Sequence, residues 1–238
     1  MINPSRSTIV NGRTLFVKDN DYCSELYVTD TFEHGVTNFA KNNIKEGEYV
    51  IDVGAHIGYY TLLFSKLVGE TGLVAAFEPD DSNYEYLTHN VKVNHIANVI
   101  CYKHALMDYN GMGRIVTSSF NSGDSRVYRA NGNQSNVFVE KLDSLQIDKL
   151  EWIKMDIQGC ELFALKGAEE TIDRFSPRII MEFERGMLTD HGVEPRALLD
   201  WISVKGYQFE RIDEHDLSVS PTNIDALLGM DTNLYLHK

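Results

Sequence analysis

An α/β fold on a mostly parallel sheet is what this sequence predicts, on three observations. Short apolar, β-branched runs recur along the chain, at residues 49–53, 73–77, 152–155 and 178–183. Each carries or is followed by an acid: Asp52, Glu78, Asp156 and Glu182. Segments of helical period separate the runs, and alternating β and α elements build a parallel sheet with helices on both faces. No linker composition and no internal repeat interrupts the pattern.

The elements follow in order. Residues 7–18 alternate around Asn11-Gly12, a strong hairpin signal. Residues 31–43 read as a helix, and Lys45-Glu46-Gly47-Glu48 turns the chain into the first core strand. Residues 1–44 thus form an extension packed on a core of residues 45–238. Asp81-Ser82 is placed to cap a helix to about Asn94, with Tyr84, Leu87 and Val91 on one face. Residues 99–102 open a third strand that ends near His104-Ala105-Leu106. A polar insertion follows over about 107–135, with Gly111, Gly113, Gly123 and Gly132 among Ser and Asn, and with Arg114, Arg126 and Arg129. Strands at 114–118 and 136–141 bracket it, and such a long loop reads as a substrate-facing lid. A helix from Cys160 to about Arg174 stops at Ser176-Pro177, and Pro195 opens another that runs to Lys205. Residues 206–212 and 233–237 are closing strands.

Composition excludes several classes. The 238 residues suffice for one large α/β domain, and a net charge of −13 opposes nucleic-acid binding. No run approaches the roughly 18 apolar residues of a membrane span. The segment Met1-Ile2-Asn3-Pro4-Ser5-Arg6-Ser7 has no apolar signal-peptide core. Cys23, Cys101 and Cys160 are odd in number and widely spaced, which reads as reduced thiols in the cytoplasm rather than a disulfide framework or a zinc site.

The turn after the first core strand carries the chemistry. Asp52-Val53-Gly54-Ala55-His56-Ile57-Gly58 leads from strand to helix, where Gly54 lets a ligand approach the backbone and Gly58 lets the helix pack closely. A dinucleotide site would read Gly-x-Gly-x-x-Gly, which is absent and disfavours a nicotinamide-dependent oxidoreductase. Glu78, at the end of the second strand, is placed to accept ribose hydroxyls, and Asp52 to meet an amino group or an ordered water. A ribose and a charged amino acid without phosphate describe S-adenosylmethionine.

These segments resemble the FkbM family of S-adenosylmethionine-dependent methyltransferases. The likeness covers roughly residues 45–185. It rests on Val50 through Tyr60, on Ala76-Phe77-Glu78-Pro79, on Asn90 and Asn94, on Leu142-Asp143, and most specifically on Ile153 through Glu161 with Leu165-Lys166-Gly167-Ala168. His56 stands where the family usually has Asn, and Gln158 where it usually has Glu. The resemblance implies a class I methyltransferase, Rossmann-like sheet of seven core strands with the last antiparallel. It also implies methyl transfer to a hydroxyl, often on a sugar of a glycan, glycolipid or glycosylated metabolite. A catalytically silent binding module is the alternative, raised by Gln158.

The expected cofactor-binding set is Asp52, Gly54, Ala55, His56, Gly58 and Tyr59 from the first turn, Glu78 and Pro79 from the second strand, and His104, Ala105 and Asp156 beyond it. Asp156, Glu182 and His191 are the catalytic candidates, because an alcohol acceptor must lose its proton as the new bond forms. Asp156 has a second possible role, accepting the Gly159 and Cys160 N–H groups of its turn, and Glu161 one as a helix cap. Glu33 is expected to be solvated, with the cofactor's amino-acid end as its alternative. No metal is expected, and a homo-oligomer is possible.

Overall fold

A computed structural model describes residues 4–30, 32–130 and 135–238. The first three residues of the N-terminal segment, residue 31 at the start of the expected helix, and Gly132 of the insertion lie outside the described residues.

The chain opens with the hairpin β1 (Arg6–Val10) and β2 (Arg13–Val17), joined at Asn11 and Gly12, whose φ angles of 53° and 80° suit a type I′ turn. Helices α1 (Tyr22–Val28) and α2 (His34–Asn43) complete the N-terminal part. The core then alternates as β3 (Tyr49–Val53), α3 (Tyr59–Val68), β4 (Leu73–Phe77), α4 (Asp81–Val93) and β5 (Val99–Tyr102). After an inserted sheet it resumes with β10 (Trp152–Met155), α5 (Glu161–Lys166), α6 (Glu169–Phe175), β11 (Arg178–Phe183), α7 (Arg185–Asp190), α8 (Pro195–Val204), β12 (Gln208–Ile212), β13 (Val219–Pro221), α9 (Ile224–Leu227) and β14 (Thr232–His237).

The main sheet has the order β13-β12-β14-β11-β10-β3-β4-β5. Strands β5, β4, β3, β10 and β11 are parallel, and β14 inserts antiparallel between β11 and β12. This is the class I order of seven strands with the last in the chain reversed. Strand β13 adds an eighth at the edge, as a hairpin with β12.

The strand period of two divides the core. Ile51, Val53, Ile153 and Met155 face the cluster under α5, α6 and α8, while Val50, Trp152 and Ile180 face the one under α2, α3 and the hairpin. Leu15 and Val17 of β2 are fully buried in the second cluster. Burial of such a side chain contributes roughly 1.5–3 kcal/mol, so the hairpin is part of the core's stability. Asn90 and Asn94, one turn apart on α4, fix it in place. The Asn90 side chain accepts the Phe16 N–H at 2.8 Å and donates to the carbonyls of Phe16 and Ile57; Asn94 does the same with Thr14.

Several expectations need correction. The expected third strand is two: β5 stays in the main sheet, whereas β6 (His104–Leu106) pairs with β9 (Val137–Glu140). The strands expected at 114–118 and 136–141 form as β7 (Gly111–Val116) and β9, and the polar stretch between them adds an unforeseen strand, β8 (Arg126–Arg129), giving a sheet in the order β6-β9-β7-β8. The helix expected from Cys160 to Arg174 breaks at Gly167, where a Cβ would sit 1.8 Å from the Met107 carbonyl oxygen. That close approach of the inserted sheet demands glycine there. The N-cap of α4 is Asp80, one residue before the expected one, and α1, α7 and α9 were not foreseen.

Candidate active site

Strand β3 runs into a tight turn at Gly54. Gly54 has φ +81°, and a Cβ there would lie 2.0 Å from the Asp156 carbonyl oxygen, so the ends of β3 and β10 touch backbone to backbone. The Gly54 and Ala55 N–H groups both donate to the Phe77 carbonyl at 3.0 Å, which ties the turn to the end of β4. His56 follows with φ 52°, aiming its N–H at Glu78 Oε2, 2.8 Å away. The other carboxyl oxygen of Glu78 accepts the Asp80 N–H at 2.8 Å. Each oxygen keeps a lone pair for a further donor. Burial, acting against these two backbone donors, pushes the Glu78 carboxyl up to about 7.

The His56 ring is tied on both nitrogens. Nδ1 lies 2.9 Å from Tyr27 Oη and Nε2 lies 2.6 Å from Ser122 Oγ. Burial, assisted by the Lys18 charge, pushes the imidazole down to about 3, so it is neutral here. Ser122 belongs to the loop between β7 and β8. That loop is held across the site by the Ser122 N–H on Asp21 Oδ1 at 2.7 Å and by Asn83 Nδ2 on the Ser122 carbonyl at 3.1 Å. The insertion therefore walls the site.

At the other end, β10 and β11 deliver an acid cluster. Lys154 Nζ lies 3.1 Å from Asp156 Oδ2 and 4.6 Å from the centre of the Tyr60 ring. The Gln158 amide donates to Asp156 Oδ1 at 3.0 Å and to Glu182 Oε2 at 3.1 Å. Burial works to raise the Asp156 carboxyl, but Lys154 and these hydrogen bonds hold it below its ordinary value. The Asp156 charge, then burial, drives Glu182 well above the carboxylate range. The pair is thereby split, with Asp156 the more acidic and Glu182 the less acidic carboxyl. Glu33 completes the wall: its Oε2 accepts from Tyr60 Oη at 2.7 Å, and burial raises it to about 7. The expectation of a solvated Glu33 is overturned, since the side chain faces the cavity from the strained turn (φ 38°) that opens α2.

Glu33, Glu78, Asp156 and Glu182, with Gln158, His56 and Ser122, line one cavity of about 190 Å³. Of the expected residues, Gly54, His56, Glu78, Pro79, His104, Ala105, Asp156 and Glu182 all line it. His104, whose Nδ1 pairs with Glu140 at 2.9 Å, and Ala105 sit on β6 at the apolar end with Leu106 and Met107. Asp52, Ala55, Gly58 and Tyr59 lie behind the wall. Asp52 accepts from Thr61 Oγ1 at 2.6 Å, and its buried Oδ1 has no partner. The Tyr59 ring stacks on Tyr27. The Gly159 N–H goes to Glu161 Oε1 at 3.2 Å, as does that of Ile157, so Glu161 fixes the turn and leaves Asp156 facing the cavity. His191 is not brought together with Asp156 and Glu182. It stacks on Tyr128 at 4.5 Å, beyond Cys160, and lines a separate cleft. Among the described residues, no group of three His, Cys, Asp or Glu is placed to hold a metal ion, and no helix is long and apolar enough to cross a membrane.

The profile of the Methyltransferase FkbM domain matches residues 52–209, from the acid of β3 through β12. The chain belongs to the FkbM methyltransferase family. This FkbM methyltransferase is similar in fold to Methyltransferase FkbM from Methylobacillus flagellatus KT, with 22% identity and a TM-score of 0.52 over 80% of this chain and 43% of that one. It thus spans less than half the length of that relative. A putative rRNA-methylase from Clostridium thermocellum is similar at 14% identity and a TM-score of 0.51, over 85% of this chain and 93% of that one. No curated protein matches this chain.

S-adenosylmethionine is the cofactor of this FkbM chain, and its residues fit it. Glu78 offers two acceptor oxygens for a ribose diol, and the apolar end at Ala105, Leu106 and Met107 suits a purine. The acid cluster suits a ligand that is cationic at sulfur and at its ammonium group. The glycine at 54 leaves backbone, without a Cβ, at the centre of the cradle. Sequence reasoning missed Tyr27 and Ser122, which are distant in the chain from the motifs they serve, and gave no role to Tyr60 and Lys154, which lie inside those motifs. Only the unusual lysine inside an otherwise apolar strand could have drawn attention.

Proposed function

We propose that this FkbM methyltransferase transfers a methyl group to a hydroxyl oxygen of a sugar, in a glycan, glycolipid or glycosylated metabolite, within the cytoplasm. The reading is carried by one observation: the Asp156–Gln158–Glu182 bridge opens into the same cavity as Glu78.

S-adenosylmethionine supplies an electrophilic methyl group on a sulfonium. The chain's residues then have three tasks. Glu78 and the Gly54 turn hold the ribose side, and close positioning is worth several kcal/mol of the barrier. Glu182, raised by the charge of Asp156, is placed to hydrogen-bond the acceptor. Asp156 stays ionised beside Lys154 and receives the acceptor's hydroxyl proton as the oxygen–carbon bond forms. A low basicity suffices because the methyl donor is already activated. Carboxyl groups and an amide also match the hydrogen-bonding hydroxyls of a sugar.

The test is methyl transfer from a labelled donor to a panel of mono- and oligosaccharides. The reading expects a label that survives mild alkali, as an ether does, and a loss of at least a hundredfold in rate in Asp156→Asn measured at saturating donor. Label released by alkali would mean a methyl ester and contradict transfer to hydroxyl. Tight cofactor binding with no transfer to any acceptor would favour the silent module.

A further inference from the structure

The acceptor reading leaves one feature without a role, the cleft that holds His191. It lies on the inserted sheet, next to the cofactor cavity, and the two share Met107 and Val127 as a common wall. Arg114 and Tyr128 are direct partners across the β7–β8 pair, with the guanidinium 5.6 Å from the ring centre. His191 stacks on the same ring at 4.5 Å. Arg129 closes the far side.

The cations here differ in what they already hold. Arg126 is shared between Asp124 and Asp190, each within 2.9 Å. Arg129 pairs with Asp108 through one terminal nitrogen and lies over the Tyr109 ring, 4.4 Å from its centre, which leaves its other in-plane N–H groups to donate. Among the described residues, no carboxylate lies within ion-pair distance of Arg114. In a chain of net charge −13 an uncompensated arginine resting on an aromatic ring is unusual company. The planar fork of arginine matches the oxygens of a carboxylate or phosphate.

We propose that this cleft is a subsite for an oxyanion carried by the sugar acceptor, with Arg114 and Arg129 as its ligands and Tyr128 and His191 as its floor. The anion is a carboxylate, as on a uronic acid, or a phosphate ester. The inference deepens the sugar methyltransferase reading and rests on it. It also gives His191 a place: the residue sits in the acceptor's anchor, not beside the reacting atoms.

The test titrates the protein, saturated with S-adenosylhomocysteine, with glucuronic acid, glucose 6-phosphate and glucose. The proposal expects at least one anionic sugar to bind tenfold or more tightly than glucose, and which of the two does so identifies the anion. Arg114→Ala and Arg129→Ala should each weaken that binding about tenfold. Their affinity for S-adenosylhomocysteine should stay unchanged, which also reports that the variants fold. Equal weak binding of all three sugars, or unchanged anion binding in both variants, would overturn the subsite and leave the methyltransferase reading standing. A protein that fails to bind S-adenosylhomocysteine would instead contradict the reading beneath it, and the sugar titrations would still be read on the free protein.

Discussion

One amide joins two acids: Gln158 Nε2 lies 3.0 Å from Asp156 and 3.1 Å from Glu182, so a side chain from the β10 turn bridges the ends of two neighbouring strands. Gln158 itself sits at φ 52°, beside Gly159 at φ 97°, in a turn bent to present it. Removing the amide leaves both carboxyl groups short of a donor. Gln158→Leu should therefore cost about 1–3 kcal/mol, read by chemical denaturation at pH 7. A stability unchanged within about 0.5 kcal/mol would mean that the bridge is not made in solution.

Glu78 makes cofactor affinity depend on pH. Its carboxyl is pushed up to about 7, chiefly by burial, and only the ionised form offers acceptor capacity on both oxygens. S-adenosylhomocysteine should bind more tightly as pH rises from 6 to 8, and Glu78→Gln should flatten that rise. For folding the sign is opposite. A carboxyl raised above its unfolded value contributes stability that is complete below about pH 4 and is lost as pH climbs through about 7. Thermal unfolding of the free protein should thus fall less steeply from pH 5 to 8 in Glu78→Gln than in the parent. A parallel slope would place the ionisation elsewhere.

Gly54→Ala meets two obstacles at once, a φ of +81° and a carbonyl oxygen 2.0 Å from the new Cβ. The ends of β3 and β10 would have to separate. The expected outcome is loss of S-adenosylhomocysteine binding by more than a hundredfold in whatever soluble protein forms. Binding at the parent's affinity, measured by calorimetry, would contradict the backbone contact.

Asn90, fully buried, anchors the N-terminal hairpin by two hydrogen bonds to Phe16 and ties it to the Ile57 carbonyl by a third. Asn90→Ala strands the Phe16 backbone groups and should destabilise the fold by about 2–3 kcal/mol. Proteolysis within residues 6–17 should appear first. Resistance equal to the parent would show that hydrophobic burial of Leu15 and Val17 alone holds the hairpin.

The parts legible in the sequence are those written in local pattern. Short apolar, β-branched runs that carry or precede acids announced β3, β4, β10 and β11, and Asn11-Gly12 announced the hairpin. Glycine spacing and Glu78 pointed to the ligand because both belong to one βαβ unit. What escaped depends on contacts distant in the chain. The break at Gly167 follows from the Met107 carbonyl, the burial of Glu33 from Tyr60, and the tie of His56 from Ser122 in the insertion. Strand β8 was missed inside the insertion because it is short and polar, with Arg126 and Arg129 at its ends, and it is ordered by pairing with β7. His191 was placed beside the acids by its position after β11, but α7 carries it past Cys160 into the neighbouring cleft.

The most direct measurement is a calorimetric titration of the protein and of Glu78→Ala with S-adenosylhomocysteine at pH 8, side by side. The account predicts a saturable single site in the parent and a loss of about 1–3 kcal/mol, roughly five- to more than a hundredfold in affinity, in the folded variant. Equal affinity in the two proteins would contradict the claim that this cavity, with Glu78 at its ribose end, is where the cofactor binds.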